Sequence, residues 1–118
     1  MVTLPKVRAD VSVRVFRLAY ETKDNDVRLL SFLVSALNPT IESLEKALNT
    51  CDIEKIVDKL TSIGADIRQI YDQLSKVREK LPPDLYRELT REIENIENEI
   101  LKQAPEQIRT CSLRGLIR

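Results

Sequence analysis

Few residues in this chain are equipped for chemistry, and their spacing argues against most of what they might do. There is no histidine, so the side chain that most often serves as general base near neutral pH is missing. Ser-His-Asp and Cys-His arrangements and the Glu-x-x-His motif of di-iron bundles are missing with it. The two glycines stand apart at Gly64 and Gly115, which leaves no material for a phosphate-cradling loop. Glu92, Glu94, Glu97 and Glu99 can in principle pair for acid–base work or hold a cation. They flank the apolar positions of a helix instead of converging, so a solvated helix face is the expectation. Asp24-Asn25-Asp26 begins like a calcium loop but lacks the sixth-position glycine and the distal glutamate, and reads as a capping turn. No catalytic residue, no metal and no cofactor is therefore expected, and the chain does not read as an enzyme.

Two other residue sets remain. The 19 basic and 19 acidic residues cancel, so no whole-protein field attracts nucleic acid, yet both ends are locally basic. Residues 1 to 23 carry Lys6, Arg8, Arg14, Arg17 and Lys23 against Asp10 and Glu21; residues 104 to 118 carry Arg109, Arg114 and Arg118 against Glu106. Arg8, Arg14, Arg17, Arg109, Arg114 and Arg118 are the candidate phosphate contacts, and the same guanidiniums can instead dock on the acidic helix. The second set is Cys51 and Cys111, the only cysteines.

The element that must position these groups runs from Ile53 to Leu81. Ile53, Ile56, Leu60, Ile63, Ile67, Ile70, Leu74, Val77 and Leu81 recur at steps of three and four, which predicts one helical rod of roughly 43 Å with an apolar seam. Val57, Gly64 and Tyr71 widen that seam to the breadth of a globular bundle. Gly64 is its weak point, but the rhythm passes through without losing phase, so a continuous helix is expected.

Pro82-Pro83 ends the rod, and Tyr86, Leu89, Ile93, Ile96 and Ile100 repeat the pattern, so residues 53–103 form an antiparallel αα-hairpin. Ala104-Pro105 should interrupt the second arm, leaving 104–118 as a basic, weakly helical segment. An arm stopping at Gln103 reaches back only to about residue 62, so Ile53, Ile56, Val57 and Leu60 need other cover. In this register residue i lies beside a residue numbered about 165 minus i. A tail continuing along the same groove would bring Cys111 near residue 54 and within disulfide range of Cys51, a pairing that disfavours a mesophilic cytosol but occurs in hyperthermophiles. Otherwise the two are separate buried thiols.

Short helices are expected across 7–50. Val27, Leu29, Leu30, Phe32, Leu33, Val34, Ala36 and Leu37 form a helix apolar nearly all round, which should be the most buried element, with Phe32, Leu33 and Leu37 against the Ile53 to Leu60 end of the rod. Asn38-Pro39-Thr40 should break it before a brief helix through Ile41, Leu44 and Leu48. Val7 to Val15 fits either a helix or, by alternation with Arg8, Asp10, Ser12 and Arg14, a half-buried strand; with no partner strand in the chain, helix is the default. Read as a strand, the segment resembles ribbon-helix-helix DNA binders, whose dimeric ribbon reads the major groove. The resemblance departs at Lys23-Asp24-Asn25-Asp26, where the family has a Gly-x-Ser/Thr type of turn.

The fold expected is an all-α, four- or five-helix bundle in a single domain, 1–118. Its expected role is a non-enzymatic scaffold or assembly module that pairs with itself as a homodimer or with another helical protein. The alternative is a small helical nucleic-acid-binding subunit, either a DNA-binding regulator or a ribonucleoprotein component. Neither a secretory signal nor a stretch long enough to cross a membrane is visible, so a cytoplasmic location is expected. The isoleucine content and the 32% charged residues lean toward a thermophile.

Overall fold

The computed structural model describes residues 1–115; Leu116, Ile117 and Arg118, and with them one candidate phosphate contact, lie outside the described residues. Four α-helices follow one another up and down: α1 (Ala9–Thr22), α2 (Asn25–Asn49), α3 (Ile53–Val77) and α4 (Pro83–Leu113). The bundle is elongated, 52 × 21 × 20 Å, and no strand occurs among the described residues. Val7 to Val15 therefore takes its helical reading from Ala9 onward, and the ribbon-helix-helix analogy loses its ribbon.

Two of the four helices, α2 and α3, start where an aspartate side chain satisfies free amides. Asp24 caps α2 by accepting from the Asp26 and Val27 N–H groups, and Asp52 caps α3 by accepting from Lys55 N–H. Pro83 occupies the first turn of α4, where a missing N–H costs nothing. The tight connections fall where positive φ is needed: Lys23 at 56° ends α1, and Cys51 at 54° turns the chain from α2 into α3. The long seam behaves as its spacing demands: Ile56, Ile63, Ile67, Ile70, Leu74 and Val77 are buried on α3, facing Leu85, Leu89, Ile93, Ile96 and Ile100 from α4 and Leu30, Leu37, Ile41, Leu44 and Leu48 from α2. Gly64 lies within an unbroken helix.

Two expected breaks are absent. α2 runs straight through Pro39 and α4 through Pro105. A proline inside a helix removes one hydrogen bond and crowds the carbonyl four residues back, at about 3 kcal/mol. Around Pro39 that cost is offset by the burial of Leu37, Ile41, Leu44 and Leu48, each fully buried, at about 1.5–3 kcal/mol per side chain. Around Pro105 it is offset by buried Ala104 and by the anchor at Cys111. The arms of the hairpin are consequently not unequal in the expected sense. α4 continues to Leu113, overruns the start of α3, and makes residues 104–113 part of the arm instead of a separate tail. A disulfide joins Cys51 to Cys111, with Cα atoms 5.8 Å apart.

The burial expected of α2 is also corrected. Leu37 is fully buried, but Leu33 is only half-buried and Phe32 is 68% exposed, with Leu29 at 47%. A helix apolar all round carries no information about which side faces out, and α1 with α3 covers only part of this one.

Candidate interaction surfaces

Residues 1–8 precede α1 as an extended strap laid antiparallel along α2. Pro5 explains the local conformation: it pushes Leu4 out of the α region, supplies no N–H, and keeps α1 from growing backward. The strap is held by side chains. Asn49 Oδ1 accepts from Val2 N–H at 2.7 Å while its Nδ2 donates to Val2 C=O at 3.0 Å. Asn38 does the same for Val7, at 2.8 and 3.0 Å. Between them Glu45 Oε2 accepts from Leu4 N–H at 2.6 Å and from Lys6 Nζ at 2.9 Å, and on α4 Glu92 Oε1 accepts from Arg8 N–H at 2.8 Å. Leu4 and Val7 are buried between these anchors. The register closes because Val2 to Val7 spans about 16 Å extended and Asn38 to Asn49 spans about 16 Å along a helix.

Sequence reasoning missed the strap. Its only trace was Asn38, Glu45 and Asn49 recurring on one face of α2, at a position where apolar neighbours would leave such groups without partners. Burial pushes the Glu45 carboxyl up, but the Leu4 N–H and the Lys6 ammonium outweigh it and hold the group below the ordinary carboxylate value. A depressed folded value stabilises above the unfolded pKa, about 4.3, and that contribution is lost as pH falls through the folded one. Acidification below about pH 4 is therefore expected to release the strap before the bundle. Hydrogen exchange at the Leu4 amide would rise there while Leu89 and Ile93 stay protected; loss of protection at all three together would show that the strap opens only with the whole fold.

Three of the five candidate phosphate contacts among the described residues, Arg8, Arg14 and Arg109, are already paired. Arg14 spans two carboxylates of α4, Nη2 to Asp84 at 2.7 Å and Nη1 to Glu88 at 2.8 Å. The hydrogen bond with Asp84 raises the guanidinium and lowers the carboxyl. Arg8 lies 3.4 Å from Asp10 and 3.9 Å from both Glu88 and Glu92, and Arg109 meets Glu106 at 2.8 Å. Arg17 borders a shallow groove with Arg14 and Glu21, and Arg114 follows the end of α4. The arrangement does not bring the two basic ends together: Glu92, beside Arg8, and Arg109 are about 25 Å apart along α4.

The acidic residues are likewise occupied by local contacts. Glu99 accepts from Gln103 and Glu97 from the Tyr71 hydroxyl, whose pKa burial and the neighbouring Glu97 and Glu94 push up to about 12. Asp24, beyond its capping bonds, meets Lys80 at 2.8 Å, and that bond lowers its carboxyl. Among the described residues no group of three or more His, Cys, Asp or Glu is placed to hold a metal ion.

Part of what the bundle leaves uncovered is apolar. Phe16 (62% exposed) and Tyr20 (73%) on α1 stand beside Phe32 on α2, so both phenylalanines of the chain lie on one outer face. Between them runs a groove of about 380 Å³, floored by Ala19 and Ser31 and edged by Arg28. A second groove, about 540 Å³, lies between α3 and α4 at Leu60, Leu101, Ala104, Pro105 and Ile108.

Fold and surface together define an all-α, up-and-down bundle with a strapped N-terminus, a cross-linked last helix and an aromatic outer face. Among the described residues no helix is long and apolar enough to cross a membrane. Comparison with family models, with curated proteins and with solved structures found no match.

Proposed function

We propose that the protein is a non-enzymatic helical assembly module that associates with a second copy of itself through the face carrying Phe16, Tyr20 and Phe32. The observation that carries this reading is the exposure of both phenylalanines, together with Tyr20, around one groove on the outside of the bundle. Large aromatics contribute most to interfaces and are costly to leave in water. A two-fold axis through the α1–α2 groove sets Phe16 and Phe32 of each copy against those of the other. The zero net charge offers no long-range repulsion between copies.

The expected result is a dimer by sedimentation over a hundredfold concentration range, with Phe16→Glu and Phe32→Glu each monomeric and equally helical. A concentration-independent monomer mass for the unaltered protein would overturn the reading. The nucleic-acid alternative draws less support, because Arg8, Arg14 and Arg109 already face carboxylates. Titration with single- and double-stranded DNA and RNA at two salt concentrations separates the two, since phosphate binding carries a negative log–log slope. A cytoplasmic location belongs to the proposal, and with a disulfide in the chain it brings a hyperthermophilic origin with it.

A further inference from the structure

The hydrogen bonds between the strap and the helices are made with its backbone, apart from that of Lys6 to Glu45, and every partner is a helix side chain; the Arg8 guanidinium adds longer ion pairs to Glu88 and Glu92. Asn38 and Asn49 each present an acceptor and a donor to one residue, reproducing the pairing a neighbouring strand would give. Such contacts read an extended backbone and tolerate many sequences. Selectivity comes from two sockets that bury Leu4 and Val7 and from two carboxylates, Glu45 and Glu92, that make the track acidic.

We propose that this track along α2 is a receptor for an extended peptide segment of another protein, basic and apolar in the strap's own order, and that the strap is its tethered occupant. The charge decides the class of ligand: a lysine two positions after the first buried apolar residue meets Glu45, as Lys6 does at 2.9 Å. Tethering sets the competition, because a short linker holds the strap at an effective concentration on the order of millimolar. An incoming segment must exceed that level or bring contacts elsewhere on its own protein. The surface is separate from the Phe16–Phe32 face, so the inference goes beyond the assembly reading and does not depend on it.

The test uses the full chain and a fluorescein-labelled peptide of sequence MVTLPKVR as probe. Leu4→Asp, which empties one socket without touching the track, is expected to bind the probe at least tenfold more tightly than the unaltered protein. Adding Asn38→Leu is expected to lose at least tenfold again, and a probe with serine at both buried positions should not bind. Should Leu4→Asp fold poorly, the unaltered protein decides: with millimolar peptide, the side-chain amide resonances of Asn38 and Asn49 shift and the Leu4 amide loses protection. An unchanged affinity in a folded Leu4→Asp protein, or unmoved resonances, would sink the proposal. A concentration-dependent mass abolished by Leu4→Asp but not by Phe32→Glu would assign the track to the N-terminus of a second copy and overturn the assignment to another protein.

Discussion

Reducing the Cys51–Cys111 bond is expected to lower the stability of the bundle by about 4 kcal/mol, since the bond closes a loop whose ends are 60 residues apart. In a chain this size that corresponds to a fall of roughly 15 °C in the melting temperature. The loss should concentrate at the far end of α4, where Pro105 has already removed one helical hydrogen bond and the last two turns contribute little apolar surface beyond Ile108 and Cys111. Urea unfolding followed by circular dichroism, with and without dithiothreitol, measures it. The double variant Cys51→Ala/Cys111→Ala separates loss of the covalent link from any chemistry of free thiols. A change under 1 kcal/mol would mean that packing alone holds the last turns and that the bond adds nothing the fold requires.

The second large effect is a contrast within six residues of α2. Leu37→Ala is expected to cost about 2–5 kcal/mol, because the side chain is fully buried in the same core cluster as Val34 and Ile41, its neighbours on the helix face. Phe32→Ala, although it removes a larger group, should stay within about 0.5 kcal/mol in the monomer, as changes on an open surface do. Denaturation at two protein concentrations makes the pair informative. If Phe32→Ala becomes costly only at the higher concentration, its ring is covered by association. A cost equal to that of Leu37→Ala at high dilution would contradict the exposed position of the ring.

Much of the fold was legible because periodicity is a direct consequence of helix geometry. The seam read from Ile53 to Leu81 and its echo read from Tyr86 to Ile100 demanded an antiparallel hairpin reversing at Pro82-Pro83; the structure ends the first helix at Val77 and buries Leu85 in place of Tyr86. Pro39 and Pro105 misled because propensity is local, whereas the decision was tertiary: Leu37, Ile41 and Leu44 on either side of Pro39 gain more from a common helix than the proline takes away. Pro105 matters twice, since an arm stopped at Gln103 would leave an overhang at Ile53 to Leu60 that the continuous α4 removes. The partial uncovering that does exist, at Val57 (57% exposed) and Leu60, lies beside the groove at Pro105. Phe32 illustrates a different limit. A helix with apolar residues all round has no phase, so nothing in its own pattern says which side is left to solvent. The strap was illegible for a third reason: an extended segment paired with side chains, instead of with another strand, leaves no period at all. The arginines were legible as charges, not as pairs, because Arg14 meets Asp84 and Glu88 only through the packing of α1 on α4.

The placement of the disulfide also governs how the molecule responds to mechanical load. Tension applied through the two ends of the chain passes along the strap, α1 and α2 to Cys51, crosses the sulfur–sulfur bond, and leaves from Cys111, so α3 and nearly all of α4 lie off the force path. Stretching should peel the strap, α1 and α2 and then stop short, because the ring between the cysteines withholds roughly 200 Å of contour length. In a reducing solution that length becomes available, and the hairpin that was a bystander has to bear the pull.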